Sequence, residues 1–107
     1  MLLGITPKTL GALNATITVP LTDADRVGVQ LVSSSFVGTV SFFASIDGTN
    51  FVALGMTPST GAAVATTATA AGLWSADVSA YCCVQITATA YTSGSMAALI
   101  APAASFK

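Results

Sequence analysis

At 107 residues the chain can build one modest hydrophobic core and leaves no room for a second domain. Only 7% of its residues are charged, against roughly 25% in an average soluble domain, and a net charge of −1 excludes the basic footprint of a nucleic-acid binder. Mean hydropathy is +0.81, yet no tract is apolar for long enough to form a spanning helix: 61–72 is broken by Thr66, Thr67 and Thr69, and 96–104 contains Pro102.

Residues 1–13 carry Leu2, Leu3, Ile5, Leu10 and Leu13 without a clean period, and Pro7 and Gly11 break any helix. They read as an N-terminal arm or an irregular first strand. Its apolar groups need cover from the domain's own core or from a neighbour. The start lacks the basic residues, long apolar run and cleavage site of a secretory signal, so synthesis and retention in a cytoplasm are expected.

From Asn14 the period becomes two. Ala15, Ile17 and Val19 alternate with Thr16 and Thr18, and Pro20 ends the strand. Val27, Val29 and Leu31 alternate with Gly28 and Gln30, and Ser33-Ser34-Ser35 reads as a turn. A long strand follows, with Val40, Phe42, Ala44 and Ile46 on one face and Thr39, Ser41, Phe43 and Ser45 on the other. Asp47-Gly48 is a hairpin signal, because glycine accepts the positive φ such turns demand. Residues 51–54 form the return strand.

The Ala/Thr-rich segment 62–71 reads as a weak strand, since Val64, Thr66, Thr67 and Thr69 oppose helix. A short strand surrounds Trp74. From Tyr81 to Tyr91, Val84, Ile86 and Ala88 alternate with Cys83, Gln85, Thr87 and Thr89. Thr92-Ser93-Gly94-Ser95 reads as a tight turn before a last strand, 96–101. That strand is apolar on both faces, through Leu99 and Ala101 opposite Met96, Ala98 and Ile100, and such strands are normally covered on both sides.

The pattern predicts an all-β fold: an antiparallel β-sandwich, jelly-roll-like, of seven to eight strands. The expected boundaries are an arm at 1–13, the sandwich at 14–101 and a C-terminal tail at 102–107. A surface so poor in charge is either covered by a partner or by copies of the chain, or built from the plentiful Ser and Thr.

The sequence offers little chemistry. With no His or Glu, and Lys only at positions 8 and 107, no general base is available to a nucleophile, so no enzyme is expected. Asp23 and Asp25, beside Arg26, read as turn residues. With Asp47 they match no dedicated calcium-loop spacing. No phosphate-binding loop and no cofactor motif is present. Cys82 and Cys83, if both lie on a strand, point to opposite faces, which disfavours a disulfide between them.

Trp74, Tyr81 and Tyr91 are the aromatics a sugar-binding face would use, with Trp74 read as core. Phe43 falls on the polar face of its strand, either as a two-sided core residue at a sandwich corner or as an interface anchor.

Three stretches carry a resemblance. They are Val29-Gln30-Leu31 leading into Val37-Gly38-Thr39-Val40-Ser41-Phe42, then Ser45-Ile46-Asp47-Gly48-Thr49-Asn50-Phe51-Val52-Ala53-Leu54, then Asp77-Val78-Ser79-Ala80-Tyr81 through Thr92-Ser93-Gly94-Ser95. Together, over about residues 26–100, they resemble a small β-sandwich domain of tailed-phage virion proteins. That family has a G-T-V-x-F-x-x-S-x-D-G-T hairpin and a later V-S-x-Y-x-x-V-R-V strand followed by a T-S-G-S turn. Gln85 stands where the family usually carries Arg, which casts doubt on any role that relied on that charge.

The resemblance implies a non-enzymatic virion part: a capsid decoration or cement protein on the capsid surface. It would be made in the host bacterial cytoplasm, form a homotrimer, and bind the major capsid protein, with neither nucleic acid nor membrane as partner. Its alternatives are a carbohydrate- or receptor-binding module of a tail fibre, or a tail, connector or baseplate component. The residues expected at the interface are Leu2, Leu3, Ile5, Phe43, Gln85, Leu99 and Phe106.

Overall fold

A computed structural model describes residues 5–21, 24–78 and 80–104. The described chain is all-β and sandwich-like, as expected, with eight strands and no helix. In order they are β1 (Thr6–Leu10), β2 (Thr16–Pro20), β3 (Arg26–Ser45), β4 (Val52–Ala53), β5 (Thr57–Pro58), β6 (Thr67–Ala68), β7 (Gly72–Asp77) and β8 (Cys83–Ala103). Every pairing is antiparallel.

Two long strands organise everything. β3 has 20 residues and β8 has 21, and they pair with each other along almost their whole length. A straight strand of that length would reach about 65 Å, whereas the longest dimension of the molecule is 42 Å. The β3–β8 ribbon therefore folds back over itself. Its first half, Arg26–Ser33 with Met96–Ala103, is flanked by β1 on one side and β7 and β5 on the other. Its second half, Val40–Ser45 with Cys83–Ala88, is flanked by β2 on one side and β4 and β6 on the other.

The period of two decides what lies between the layers. Val27, Val29, Leu31, Met96, Ala98 and Ile100 come from one layer, and Val40, Phe42, Val84, Ile86 and Ala88 from the other; all are buried. Phe42 meets Trp74 across the interior, ring centroids 5.7 Å apart and tilted by 51°. That contact joins the second layer to β7 of the first, and it places Trp74 against the core, as the sequence reading had it.

The fold-back needs a corner, and here the structure departs from expectation. Ser33-Ser34-Ser35 and Thr92-Ser93-Gly94-Ser95 do not reverse the chain. Each is a bend inside one continuous strand, so two expected pairs of strands merge into β3 and β8. The pairing register shifts at Ser34/Ser35, Val37/Gly38 and Thr39/Val40. Extra residues of this kind sharpen local twist and let a strand change layer. Ser35 sits at φ +56°, and the Phe36 amide donates to Ser33 Oγ at 3.1 Å. Across the corner the Tyr91 hydroxyl donates to the Gly94 carbonyl at 3.0 Å, and its ring lies 6.2 Å from that of Phe36.

Two glycines permit the close approach. A Cβ on Gly94 would sit 2.1 Å from the Ser35 carbonyl oxygen, and one on Gly38 would sit 2.3 Å from that of Ala90.

Thr6–Leu10 of the segment read as an arm forms β1, which pairs with Met96–Ile100 and buries Leu10. The last strand is therefore no open edge. β1 covers one side of it and β3 the other, and Pro7 and Lys8 on β1 blunt that layer's own edge. The expected return strand and weak strand shrink to the short β4 and β6.

Candidate functional site

The outer faces of the two layers differ sharply. On the first layer the outward residues are Pro7 and Thr9 of β1, Ala97, Leu99 and Ala101 of β8, Gly28, Gln30 and Val32 of β3, and Leu73 and Ser75 of β7. None is charged. Three exposed apolar side chains lie here, Ile5 at 56%, Leu73 at 50% and Val32 at 48%; Leu13, Val37, Ile46, Val52 and Val64 are also exposed. Ile5, Leu73, Leu99 and Ala101 line a shallow groove of about 160 Å3. Arg26 and Asp77, opposite one another in the β3–β7 register, cap one end of this face.

The outer face of the second layer is a hydroxyl ladder. Thr16 Oγ1 bonds Thr87 Oγ1 at 3.0 Å, Ser41 Oγ bonds Thr89 Oγ1 at 2.7 Å, and Gln85 Nε2 donates to Thr18 Oγ1 at 3.2 Å. Phe43 sits half-buried among these groups, between Gln85 and Ala53 in register. It belongs to neither the core nor the residues packed on it.

The residues expected at an interface thus fall into two sets. Ile5 and Leu99 share the groove of the first layer. Phe43 and Gln85 are directly opposite each other on the second. Leu2, Leu3 and Phe106 lie outside the described residues, as does Asp23.

Sequence reasoning missed Leu73 and Val32. Both carried a signal. Leu73 has the opposite strand parity to Trp74, and Val32 continues the alternation past Leu31, where a turn was expected at Ser33. Tyr81 and Tyr91 are half-buried and packed on the core, so with Trp74 they form no exposed ring platform.

The Asp47 loop closes on itself. Asp47 Oδ1 accepts from Ser45 Oγ and from the Thr49 and Asn50 amides, each at 2.9 Å, and Oδ2 accepts from Asn50 Nδ2 at 2.8 Å. These donors, the Asn50 amide foremost, hold its carboxyl far below the ordinary carboxylate range. A depressed folded value means that the loop's contribution is complete above the ordinary value of 3.8 and is lost progressively as pH falls from there through the lower folded value. In an NMR titration the Thr49 and Asn50 amide signals should stay unmoved through the ordinary carboxylate range and shift only below it. Movement at the ordinary value would show that the loop is open in solution. The geometry makes Asp47 the holder of a turn.

Cys82 lies in a bend ahead of β8 and is exposed, whereas Cys83 begins the strand and is buried. The expectation that the two point to opposite faces therefore fails. Their sulfurs are 3.2 Å apart, and both are free thiols.

The fold is shared with solved proteins of low sequence identity. The SPBc2 prophage-derived protein YomS superposes with a TM-score of 0.75 at 16% identity, over 94% of each chain. The PBSX exported protein XepA gives 0.73 at 11% identity; the match covers 92% of this chain but 38% of that one. The Yersinia pseudotuberculosis-derived mitogen gives 0.55 at 11% identity, over 97% and 89%. No protein-family model and no curated protein sequence matches the chain.

Proposed function

We propose that this chain is a non-enzymatic structural protein of a phage particle. In this reading it decorates or cements the capsid by burying its charge-poor outer face against the major capsid protein, with copies of the chain grouped as a trimer. The observation that carries the proposal is the first layer's outer face. Contiguous exposed apolar surface of this kind marks interaction sites, because water-facing sheets usually carry polar residues there. Apolar burial gives about 25 cal/mol per Å2 and needs no charge pairing, which suits a chain with so few charges.

The fold adds support of a coarser kind. A prophage-derived protein of similar length has it across 94% of its chain. A second reading, a tail or fibre component, draws on the PBSX exported protein XepA, in which the same fold makes up a little over a third of a longer chain.

Counting copies against the major capsid protein in purified particles separates the readings. A number near one per capsid subunit supports decoration. A few to a few dozen per particle would move the protein to the tail, and its absence from particles would end the virion reading. A variant tests the face itself. Leu73→Lys places a charge in the middle of it, on a side chain already half exposed. Stability should change by no more than about 0.5 kcal/mol, while particle binding should fall roughly tenfold or more. Unchanged binding would free this face from the role.

A further inference from the structure

We propose that Cys82 and Cys83 form a vicinal dithiol site, which low-molecular-weight disulfides oxidise to an intramolecular disulfide. The proposal rests on geometry and is independent of any role in a particle. A strand would hold adjacent side chains apart, but Cys82 precedes β8 and its bend brings both sulfurs to the same side, 3.2 Å from each other.

Two neighbouring strand ends fix that bend. The Cys82 amide donates to the Ser45 carbonyl at 2.8 Å, and the Leu21 amide donates to the Cys82 carbonyl at 2.9 Å. Cys83 pairs in register with both Pro20 and Ser45. The ends of β2 and β3 therefore hold the dithiol in place. Gly48 faces Cys82 without a side chain; a Cβ there would lie 3.6 Å from the sulfur.

The chemistry balances in two exchanges. The exposed Cys82 thiolate attacks one sulfur of the oxidant, whose S–S bond breaks and releases its first half as a thiol. The Cys83 thiol then loses its proton and attacks the Cys82 sulfur, expelling the second half. Two electrons pass from the protein pair to the oxidant, which leaves as two thiols. Burial, and then the neighbouring Cys82, push the Cys83 thiol up to about 11, so the exposed Cys82 is the sulfur that attacks first. Adjacent Cα atoms lie about 3.8 Å apart across a trans peptide, closer than the roughly 4.4 Å at which ordinary disulfides begin. The closed bond is therefore strained and is readily reopened by added thiol.

The test uses the intact folded protein and oxidised glutathione. Thiols are counted with a maleimide after denaturation, and the whole-protein mass is recorded. The expected result is loss of both thiols together, a mass lower by two hydrogens, no retained glutathione, and full recovery with reduced glutathione. Cys83→Ser should instead retain one glutathione on Cys82, and Cys82→Ser should leave Cys83 unmodified in the folded state. Glutathione retained on wild-type Cys82, two unreacted thiols, or a disulfide-linked dimer would each overturn the proposal.

Discussion

Gly94→Ala should cost about 3 kcal/mol of stability, read as a lower urea midpoint with an unchanged slope. Two effects combine. Gly94 holds φ at +79°, where a Cβ costs roughly 1–2 kcal/mol. That Cβ would also press 2.1 Å from the Ser35 carbonyl oxygen and 2.7 Å from the Phe36 amide nitrogen. Both are backbone atoms of the facing strand at its own corner, so relief requires moving β3, at about 1–3 kcal/mol. Gly61 supplies the control. Its φ is +85°, yet a Cβ there meets nothing within 4 Å. Gly61→Ala should cost only about 1 kcal/mol. Equal losses at both sites would mean that the corner is looser than the geometry indicates. A domain of this size is stable by only about 5–15 kcal/mol, so the Gly94 change removes a large share.

The second large effect separates two neighbouring phenylalanines. Phe42 is fully buried and packs on Trp74 between the layers. Phe42→Ala should cost about 3–5 kcal/mol, the transfer and cavity cost of a core aromatic. Phe43 points the other way, half-buried on the hydroxyl ladder. Phe43→Ser should cost only about 1 kcal/mol or less, since little of the side chain leaves a packed environment. If Phe43 anchors an interface, the same variant should lose particle binding far more than it loses stability. Comparable destabilisation by both variants would instead place Phe43 in a two-sided core. Chemical denaturation of the two variants alongside the parent decides this, with particle co-sedimentation as the second readout.

Much of the fold was legible because alternation is a local property. Ile17 and Val19 in β2, Val27, Val29 and Leu31 in β3, and Val84, Ile86 and Ala88 in β8 all face the interior, as their period of two required. What failed were the punctuation marks. Three serines, and a Thr-Ser-Gly-Ser run, have the composition of a chain reversal. The same residues also suit a bulged corner, where Ser35 takes a left-handed φ and Gly94 lets two backbones touch. Composition cannot distinguish the two, since the distinction lies in the partner strand. The same holds for the cysteines, whose adjacency was plain but whose facing depended on where β8 begins.

Local patterning settled the class: an all-β, charge-poor sandwich with its inward residues marked by period. Which outward residues meet depends instead on strand pairing. Ile5 precedes β1, Leu73 lies in β7 and Leu99 in β8, and only the pairing of β1, β8, β3 and β7 brings them to one face. The same pairing sets Phe43 beside Gln85 on the other layer. Which face a side chain takes is fixed by its nearest neighbours in the chain, whereas a shared surface is fixed by register between strands far apart in it.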